Sequence, residues 1–430
     1  MPPPPSRSAA SSEPPVPATR GAGAPGAGAG ANRDRGGASS HTGPYADSYI
    51  DTPEQADRFF ASLAGIDRIA LDTEGASFHR FVDRIYLLQL STAERGGGII
   101  DPLTAGPLVA LGRLLEDPSV EVVFHDADYD LRLLHQDYGW RVTNIFDTRV
   151  AAQLLGIRAF GLAALLERYF GVKLDKKHQR ADWSMRPLTP GMLDYAAQDT
   201  RHLLALRDRL AADLRDRGRW AWAAEEFARL EGTQWAGEDP ADAFLRVKGA
   251  RDLTRRELAI LRELVQWRDA VAADLDRATF RVVGNEALLD TARQAPTSRD
   301  ALSAIRGMPR AMVESRGSEI LRAVQRGVGV PESALPRFPR APRWERDPDF
   351  DDQLARLKRA RDAAAARLDL DPGVLCSRER LEAIARRKPR TPAELAEVPG
   401  LRQWQTAELG PALLVAMWNG AGTPAAPDRA

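Results

Sequence analysis

The sequence contains a single cysteine, Cys376, among 430 residues. One cysteine excludes internal disulfides and any zinc site built from a cluster of cysteines. No apolar run approaches the roughly 20 residues needed to cross a bilayer, so we expect no membrane association. Met1 is followed by prolines rather than by a basic start and an apolar stretch, unlike a signal peptide. Together these absences favour a cytoplasmic protein.

An excess of charge of either sign is also absent, since 60 basic residues balance 60 acidic residues. A strongly basic chain would point directly to a polyanion partner, and this chain does not. Balance does not exclude nucleic acid, because carboxylates gathered at a metal site can offset a basic surface elsewhere. The sequence gives no sign of an obligate protein partner.

The first part of the chain lacks the residues from which a core is built. Residues 1–44 contain no Leu, Ile or aromatic residue and are rich in Pro, Gly, Ala and Ser. Such a segment cannot bury enough apolar surface to offset its ordering entropy, so we predict a disordered tail there and another over residues 421–430. The remaining length is too great for one ordinary domain.

From Tyr45 to about residue 231 the pattern predicts an α/β domain with a mixed sheet, because short apolar runs alternate with helical patterns. The predicted strands are Arg68–Asp72, Ile85–Ser91, Gly98–Asp101 and Val120–His125. The predicted helices are Leu108–Glu116, Tyr129–Tyr138, Thr148–Leu155, Leu162–Phe170 and one long helix over Pro190–Arg217. Thr189 followed by Pro190 is a favourable helix start, an N-cap residue and then a proline whose missing N–H costs nothing there.

After Glu231 only helical patterns remain, and they occur as two copies. Arg268-Asp269-Ala270 recurs as Arg361-Asp362-Ala363, and Leu302 and Gly307 correspond to Leu395 and Gly400, always at an offset of 93 residues. A constant offset across several helices indicates a duplicated small helical domain. We predict the copies over residues 242–327 and 350–420, joined by a proline-rich linker over residues 328–349.

Two acidic residues end the first long apolar strand. Asp72 and Glu74 are separated by one residue, so on a strand both carboxylates point to the same side. Two anions side by side at a buried strand end repel each other, and a divalent cation is the usual remedy. The pattern alone is weak, because about eight acid-x-acid pairs are expected by chance with this many acids. Taken alone, such a pair is normally better explained as a solvated strand end.

Further acids and a phenol supply the missing context. Asp126, Asp128 and Asp130 follow a second apolar strand and open a helix. On the predicted long helix, Tyr195 and Asp199 lie four residues apart and therefore on one face. Such a set suits phosphoryl transfer with two Mg²⁺ or Mn²⁺ ions, one activating a water and the other stabilising the leaving oxygen. No GxxxxGK[ST] loop occurs, so hydrolysis fits better than ATP-driven work.

These residues resemble the ribonuclease D group of DEDD exonucleases, the subclass with a tyrosine in its third motif. The resemblance rests on the segments LDTEGASFHRFVDRIYLLQLS, FHDADYDLRLL and LDKKHQRADWSMRPLTPGMLDYAAQDTRHLL. It implies a ribonuclease H-like fold and two-metal removal of nucleotides from a 3′ end. Matched position by position, it implies metal binding by Asp72, Glu74, Asp130 and Asp199 and a water-orienting role for Tyr195. It leaves Asp126 and Asp128 off the metal positions, either as groups that contact the metal ligands or, the favoured interpretation, as a solvated turn and a helix cap.

The resemblance extends to the loop before the long helix, where Lys176 and Arg186 are candidate phosphate contacts. Lys177 departs from the family pattern, since many relatives carry a small hydroxyl residue there. The two helical copies resemble HRDC domains, which are taken as nucleic-acid-binding or substrate-positioning modules in the family. Two basic runs, Arg255-Arg256 and Arg386-Arg387-Lys388 with Arg390, could grip phosphates or simply form solvated helix faces.

The sequence therefore predicts a 3′–5′ exoribonuclease that acts on transfer RNA precursors or other structured RNA with a short single-stranded 3′ tail. A DNA 3′ exonuclease remains an alternative, because no residue can be assigned the sensing of the 2′-hydroxyl. A protein that kept the fold, binds RNA and lost the chemistry is a second alternative. The intact set of five site residues argues against that reading.

Overall fold

The structure of the chain is a computed structural model that describes residues 48–175, 177–237, 239–339 and 347–418. The tails predicted over residues 1–44 and 421–430, and residues 340–346 of the predicted linker, lie outside the described residues. Within the described part, no helix has the length and apolar character that a membrane crossing requires.

A six-stranded mixed sheet forms the centre of the first domain, with the strand order β1-β4-β3-β2-β5-β6. The strands are β1 (Tyr49–Ile50), β2 (Arg68–Gly75), β3 (Ile85–Ser91), β4 (Gly97–Ile100), β5 (Glu121–Phe124) and β6 (Ile145–Asp147). Strand β3 is antiparallel to β2 and β4, and the other neighbours run parallel. The predicted mixed sheet is therefore confirmed. The sequence prediction missed β1 and β6, which have only two and three residues.

Helices flank this sheet on both sides. They are α1 (Pro53–Ser62), α2 (Val109–Leu115), α3 (Asp128–Tyr138), α4 (Thr148–Leu154), α5 (Leu162–Phe170), α6 (Pro190–Arg201), α7 (Leu203–Asp216) and α8 (Trp220–Leu230). The predicted start of the long helix is confirmed, because the Thr189 side chain accepts a hydrogen bond from the Met192 backbone N–H. The prediction of one continuous helix is wrong, because α6 ends at Arg201 and α7 begins at Leu203, with His202 between them. The two halves pack differently, α6 on β3 and β4 and α7 on α4.

The alternation of side chains along β2 separates a core face from a site face. Ile69 and Leu71 belong to the apolar core beneath α1, α2 and α3. The opposite face of the sheet carries Leu87 and Ile99, which pack with Leu193 of α6. Asp72 and Glu74 point to this second face, so α6 lies across the strand that carries them.

Two helical units follow, and their helices repeat at a fixed spacing. The first unit contains α9 (Arg255–Asp274), α10 (Thr279–Val282), α11 (Asn285–Gln294), α12 (Arg299–Ser303) and α13 (Arg310–Val328). The second contains α14 (Phe350–Leu368), α15 (Pro372–Leu375), α16 (Arg378–Arg387), α17 (Pro392–Ala396) and α18 (Gln403–Trp418). Helices α15 to α18 begin at residues 372, 378, 392 and 403, each 93 residues after the start of its counterpart among α10 to α13.

Candidate active site

Strand β2 and helix α6 bring three carboxylates into one cluster. Asp72 and Glu74 project from β2, and Asp199 projects from α6, which packs across that strand. One oxygen from each of the three lies within 4.8 Å of the others. Carboxylate oxygens at this spacing are the ligands that hard divalent cations such as Mg²⁺ and Mn²⁺ prefer. The donor set therefore fits a divalent metal site.

The electrostatics of the cluster show that the acids repel one another. Burial and the charge of Asp199 raise the pKa of Asp72 well above its usual value. Burial and the charge of Asp72 do the same to the pKa of Glu74. Burial raises the pKa of Asp199 to about 7, although a hydrogen bond from Tyr195 opposes the shift. A bound cation would remove this repulsion and keep all three groups ionised.

Asp130, near the start of α3, lies beside the cluster and is fixed by the backbone of β2. Its Oδ1 atom accepts hydrogen bonds from the Thr73 backbone N–H at 3.1 Å and from the Thr73 hydroxyl at 2.6 Å. The carboxylate is buried, and burial together with the charge of Asp72 raises its pKa. Asp130 is thus held by Thr73, the residue between the two strand acids, and lies outside the group of three carboxylates whose oxygens are within 4.8 Å.

A second buried acid, Asp147, supports the turn that leads into α3, and the sequence analysis missed it. Its carboxylate accepts hydrogen bonds from the backbone N–H groups of Asp126 and Ala127 and caps the start of α4. Asp147 therefore links β6, α4 and the helix that carries Asp130. The sequence signal for it is an acid at the junction of a strand and a helix, where N-cap residues occur.

Tyr195 lies one helical turn before Asp199 on α6, and its phenol interacts with that carboxylate. Burial and then the charges of the neighbouring acids, led by Asp199, raise the pKa of the phenol. The phenol consequently stays protonated at neutral pH. It can donate or accept a hydrogen bond at the site, but it cannot serve as a base there.

Gln89 is a site neighbour that sequence reasoning did not identify. It pairs directly with Asp72 across β2 and β3, so the two side chains share a face with their Cβ atoms about 4.5–5.5 Å apart. Gln89 is 1% exposed, and neither polar atom of its amide has a hydrogen-bond partner within the described residues. An unpaired buried amide costs about 1–3 kcal/mol. The signal available in the sequence was one polar residue inside the apolar strand IYLLQL.

Arg186 has a different role from the predicted phosphate contact. All five of its guanidinium N–H groups donate within the protein: to both oxygens of Asp101 and to the backbone carbonyls of Trp183, Met185 and Tyr86. Asp101 is 1% exposed. Arg186 therefore clamps the loop before α6 onto the sheet, and the prediction is corrected because no guanidinium N–H group is left for phosphate. Lys176 lies outside the described residues, so its phosphate contact stays a prediction.

The two remaining acids of the second motif form surface ion pairs. Asp126 adopts a left-handed backbone conformation in the turn and pairs with Arg149. Asp128 is the first residue of α3 and pairs with Arg132 at 2.9 Å. Both acids are about half exposed, which matches the expectation of a solvated turn and a helix start.

The basic runs of the helical units also bind within the protein. Arg255 donates to the Leu335 carbonyl at 2.8 Å, and Arg256 donates to the Val328 carbonyl at 2.8 Å, which fixes the chain that follows α13. In the second unit, Arg387 donates to the Glu397 carbonyl and Lys388 pairs with Asp347. These contacts favour a structural role for the runs over the predicted grip on phosphates.

Comparison with known proteins agrees with this geometry. The family described as 3′-5′ exonuclease matches residues 48–215, and the HRDC domain matches residues 257–324 and 351–416. The chain is 33% identical to the ribonuclease D of Granulibacter bethesdensis, over 80% of this chain and 85% of that protein.

Two solved structures resemble the whole arrangement. A protein from Bifidobacterium adolescentis matches with a TM-score of 0.73 at 28% identity, covering 86% of this chain and 96% of that one. Escherichia coli RNase D, described as an exoribonuclease involved in structured RNA processing, matches with a TM-score of 0.67 at 27% identity, covering 86% and 98%. From the motifs, the fold and these relatives together, the chain belongs to the ribonuclease D family, as a hydrolytic 3′–5′ exonuclease with two HRDC domains.

Proposed function

We propose that Asp72, Glu74, Asp130 and Asp199 hold two divalent cations, Mg²⁺ or Mn²⁺, with which this 3′–5′ exoribonuclease hydrolyses phosphodiester bonds in RNA processing. The observation that carries the proposal is the convergence of three carboxylates within 4.8 Å of one another beside a phenol. Burial and mutual repulsion, which raise the pKa values of Asp72 and Glu74, support a site built for cations.

Bound divalent cations would supply an activated water at neutral pH and neutralise the charge that develops on the leaving oxygen. The protein residues do the positioning. Asp72 and Glu74 are fixed by the sheet, and Asp199 by a helix packed across it. Asp130 is oriented by its two hydrogen bonds from Thr73.

Tyr195 orients the attacking water in this proposal. Because its pKa is raised by burial and by the surrounding carboxylates, the phenol keeps its proton and does not act as the base. Tyr195 lies on the same face of α6 as Asp199, so its hydroxyl can donate to or accept from a water at the scissile phosphate.

Gln89 is proposed as a positioning residue for Asp72. Its buried amide faces the same side of the sheet as that carboxylate and has no other partner within the described residues. It can donate to one Asp72 oxygen while the other binds a cation, which orients the ligand in the way outer-shell groups do.

A calorimetric titration with Mn²⁺ tests this role of Gln89 independently of activity. Gln89→Leu is expected to weaken Mn²⁺ binding by about 10-fold to 100-fold, and Gln89→Asn or Gln89→Glu shows whether a shorter amide or a charge can substitute. If Gln89→Leu binds Mn²⁺ as tightly as the parent, the amide does not position Asp72.

The substrate is RNA, and we propose that it carries a short single-stranded 3′ tail on a folded body, as transfer RNA precursors do. The support is the similarity to Escherichia coli RNase D, which is involved in structured RNA processing. We also propose that the protein works in the cytoplasm, where its only cysteine, the buried Cys376, would remain reduced.

The test compares matched RNA and DNA oligonucleotides of one sequence in the presence of Mg²⁺. The parent protein should shorten the RNA from its 3′ end and leave the DNA largely intact. Asp72→Ala and Asp199→Ala should each lower hydrolysis at least about 10²-fold to 10³-fold, while binding of RNA survives. Hydrolysis at the parent's rate by both variants would overturn the site, and equal degradation of DNA would overturn the preference for RNA.

A further inference from the structure

An apolar patch lies on the surface next to the acid cluster. Of the twelve large apolar side chains that are more than a third exposed among the described residues, seven lie in or beside three adjoining segments, so the patch is not random scatter. They are Phe78, Phe81, Val82, Tyr129, Met185, Leu275 and Phe280. The segments are the loop after β2, the loop before α6 and the α9–α10 connection of the first HRDC domain.

The first HRDC domain is docked onto the loop after β2. The Ala278 backbone N–H donates to the His79 carbonyl at 3.2 Å, and the Arg281 guanidinium donates to the Phe78 carbonyl. Asp276 accepts from Arg80 at 3.1 Å. These contacts hold residues of the HRDC domain against a loop that begins directly after the catalytic strand.

Docking places two exposed rings side by side. The centroids of Phe78 and Phe280 are 6.3 Å apart, with an angle of 76° between the ring planes. Phe78 is 49% exposed and Phe280 is 52% exposed, so both keep surface available to a ligand. The guanidinium of Arg180 lies 5.5 Å from the centroid of Phe78. Aromatic rings with a cation beside them are the usual platform for single-stranded nucleic acid.

The platform is close to the reacting end of the substrate. Phe78 lies four residues after Glu74, so the chain alone limits their separation to roughly 14 Å. At about 3.4 Å per stacked nucleotide, the first four nucleotides of a bound strand span that distance. A nucleic-acid strand whose 3′ end lies at the acid cluster therefore comes within reach of Phe78.

We propose that Phe78 and Phe280 together form a stacking platform for the bases of the single-stranded 3′ tail, with Phe280 supplied by the first HRDC domain. The proposal rests on the proposed function, in which the substrate is a tailed RNA. Because every base has a π face, the platform accepts any sequence. It makes the first HRDC domain part of the substrate entrance, with a role for the tail and not only for the folded body of the RNA.

The experiment measures binding and turnover with structured RNAs that carry 3′ tails of two or eight nucleotides. Phe280→Ala and Phe78→Ala are expected to raise KM for the eight-nucleotide tail roughly fivefold to tenfold, with kcat unchanged. Both variants should handle the two-nucleotide tail like the parent, since it does not reach the platform. Phe280→Trp should restore the parent's KM, because it replaces the ring.

Val328→Ala is the matched control, because Val328 is a similarly exposed apolar residue of the same domain outside the patch. It should leave both substrates unaffected. If Phe280→Ala binds and degrades the eight-nucleotide tail like the parent, or if Phe280→Leu restores KM as fully as Phe280→Trp, the stacking platform is wrong. An equal loss of binding for the two-nucleotide and the eight-nucleotide tail would also overturn it, because the variant would then have lost RNA binding in general.

Failure of the proposed function would look different. In that case, Asp72→Ala would still hydrolyse RNA, whatever the platform variants do. Binding of the tailed RNA to Asp72→Ala and to Asp72→Ala with Phe280→Ala, measured by fluorescence anisotropy, isolates the platform from the chemistry. The double variant should bind the eight-nucleotide tail fivefold to tenfold more weakly.

Discussion

The two HRDC domains have the same helix spacing but are attached to the exonuclease domain in different ways. The first has an apolar core of its own, formed by residues between Phe244 and Val324. The second shares one continuous core with α4, α5, α7 and α8 of the exonuclease domain. Duplication therefore produced one separate module and one that is built into the catalytic domain.

Side-chain contacts strengthen the junction between the second HRDC domain and the exonuclease domain. Trp222 of α8 stacks on Trp404 of α18 with ring centroids 4.9 Å apart and an interplanar angle of 18°. Glu226 accepts from the Trp404 indole at 3.1 Å and pairs with Arg402 at 3.2 Å, with both charged side chains largely buried. Apolar burial and a shielded ion pair act together here.

The junction between the first HRDC domain and the exonuclease domain depends on exposed polar contacts instead. Its ion pair, Arg80 with Asp276, has side chains 31% and 57% exposed, and such pairs contribute about 0–1 kcal/mol. Equivalent sequence repeats can therefore differ in their contribution to stability. The second domain shares the core of the exonuclease domain and supports its fold, whereas the first has a separate core.

The largest expected effect comes from equivalent core positions in the two copies. Leu302 and Leu395 are both fully buried, the first in the separate core and the second in the shared core. Truncation of either to Ala should cost about 2–5 kcal/mol. Leu395→Ala should lower the temperature at which exonuclease activity is lost, whereas Leu302→Ala should lower only a separate calorimetric transition. If both variants lose exonuclease activity at the same temperature, the proposed difference between the two HRDC domains is wrong.

Divalent metal should act on only one of the two parts. At Mn²⁺ concentrations of 100 times Kd, the transition of the exonuclease domain and second HRDC domain should gain about 2.7 kcal/mol. The transition of the first HRDC domain should not move. Calorimetry with Mn²⁺ and with EDTA measures both, and a shift of both transitions would show that the first domain is coupled more tightly than proposed.

In the metal-free protein, the unfolding transition of the exonuclease domain and second HRDC domain should depend on pH. The folded-state pKa of Asp199 is about 7, above its unfolded value of about 3.9, so the folded state binds the proton more tightly. Its contribution to stability is present at low pH and is lost as pH rises through 7. The melting temperature should therefore fall from pH 6 to pH 8, and Asp199→Asn should reduce the slope. A slope as steep as the parent's in that variant would assign the proton to another group.

The smallest effects are expected at the two junctions themselves. Glu226→Ala leaves Arg402 and the Trp404 indole without their partner and should cost about 1–3 kcal/mol. Asp276→Ala breaks an exposed pair and should cost less than about 1 kcal/mol. Urea unfolding followed by tryptophan fluorescence compares the two. A greater loss in Asp276→Ala would reverse the assignment of strong and weak junctions.

Much of the fold and part of the site could be predicted from local patterns. The alternation in β2 predicted that Asp72 and Glu74 share a face, and the spacing of Tyr195 and Asp199 predicted one side of a helix. The repeat of 93 residues predicted two similar helical domains. The short strands β1 and β6 escaped detection, because a two- or three-residue strand exists only through pairing with its neighbours.

Contacts between distant segments set the limit of sequence reasoning. Arg186 looks like a phosphate ligand until the fold brings the buried Asp101 against it. The break at His202 separates a helix packed on β3 and β4 from one packed on α4, and the position of Gln89 beside Asp72 depends on the register of β3 with β2.

By itself the sequence determined the chemical inventory: which acids share a strand face, which side chains share a helix turn, and which segments are copies. Side-chain directions repeat every two residues in strands and every 3.6 in helices, so these relations do not depend on contacts with other segments. The tertiary structure determines that the Arg186 side chain is bound to Asp101, and that the second repeat shares the core of the exonuclease domain. Those outcomes depend on packing between segments far apart in the chain, where burial changes the energy of every charge.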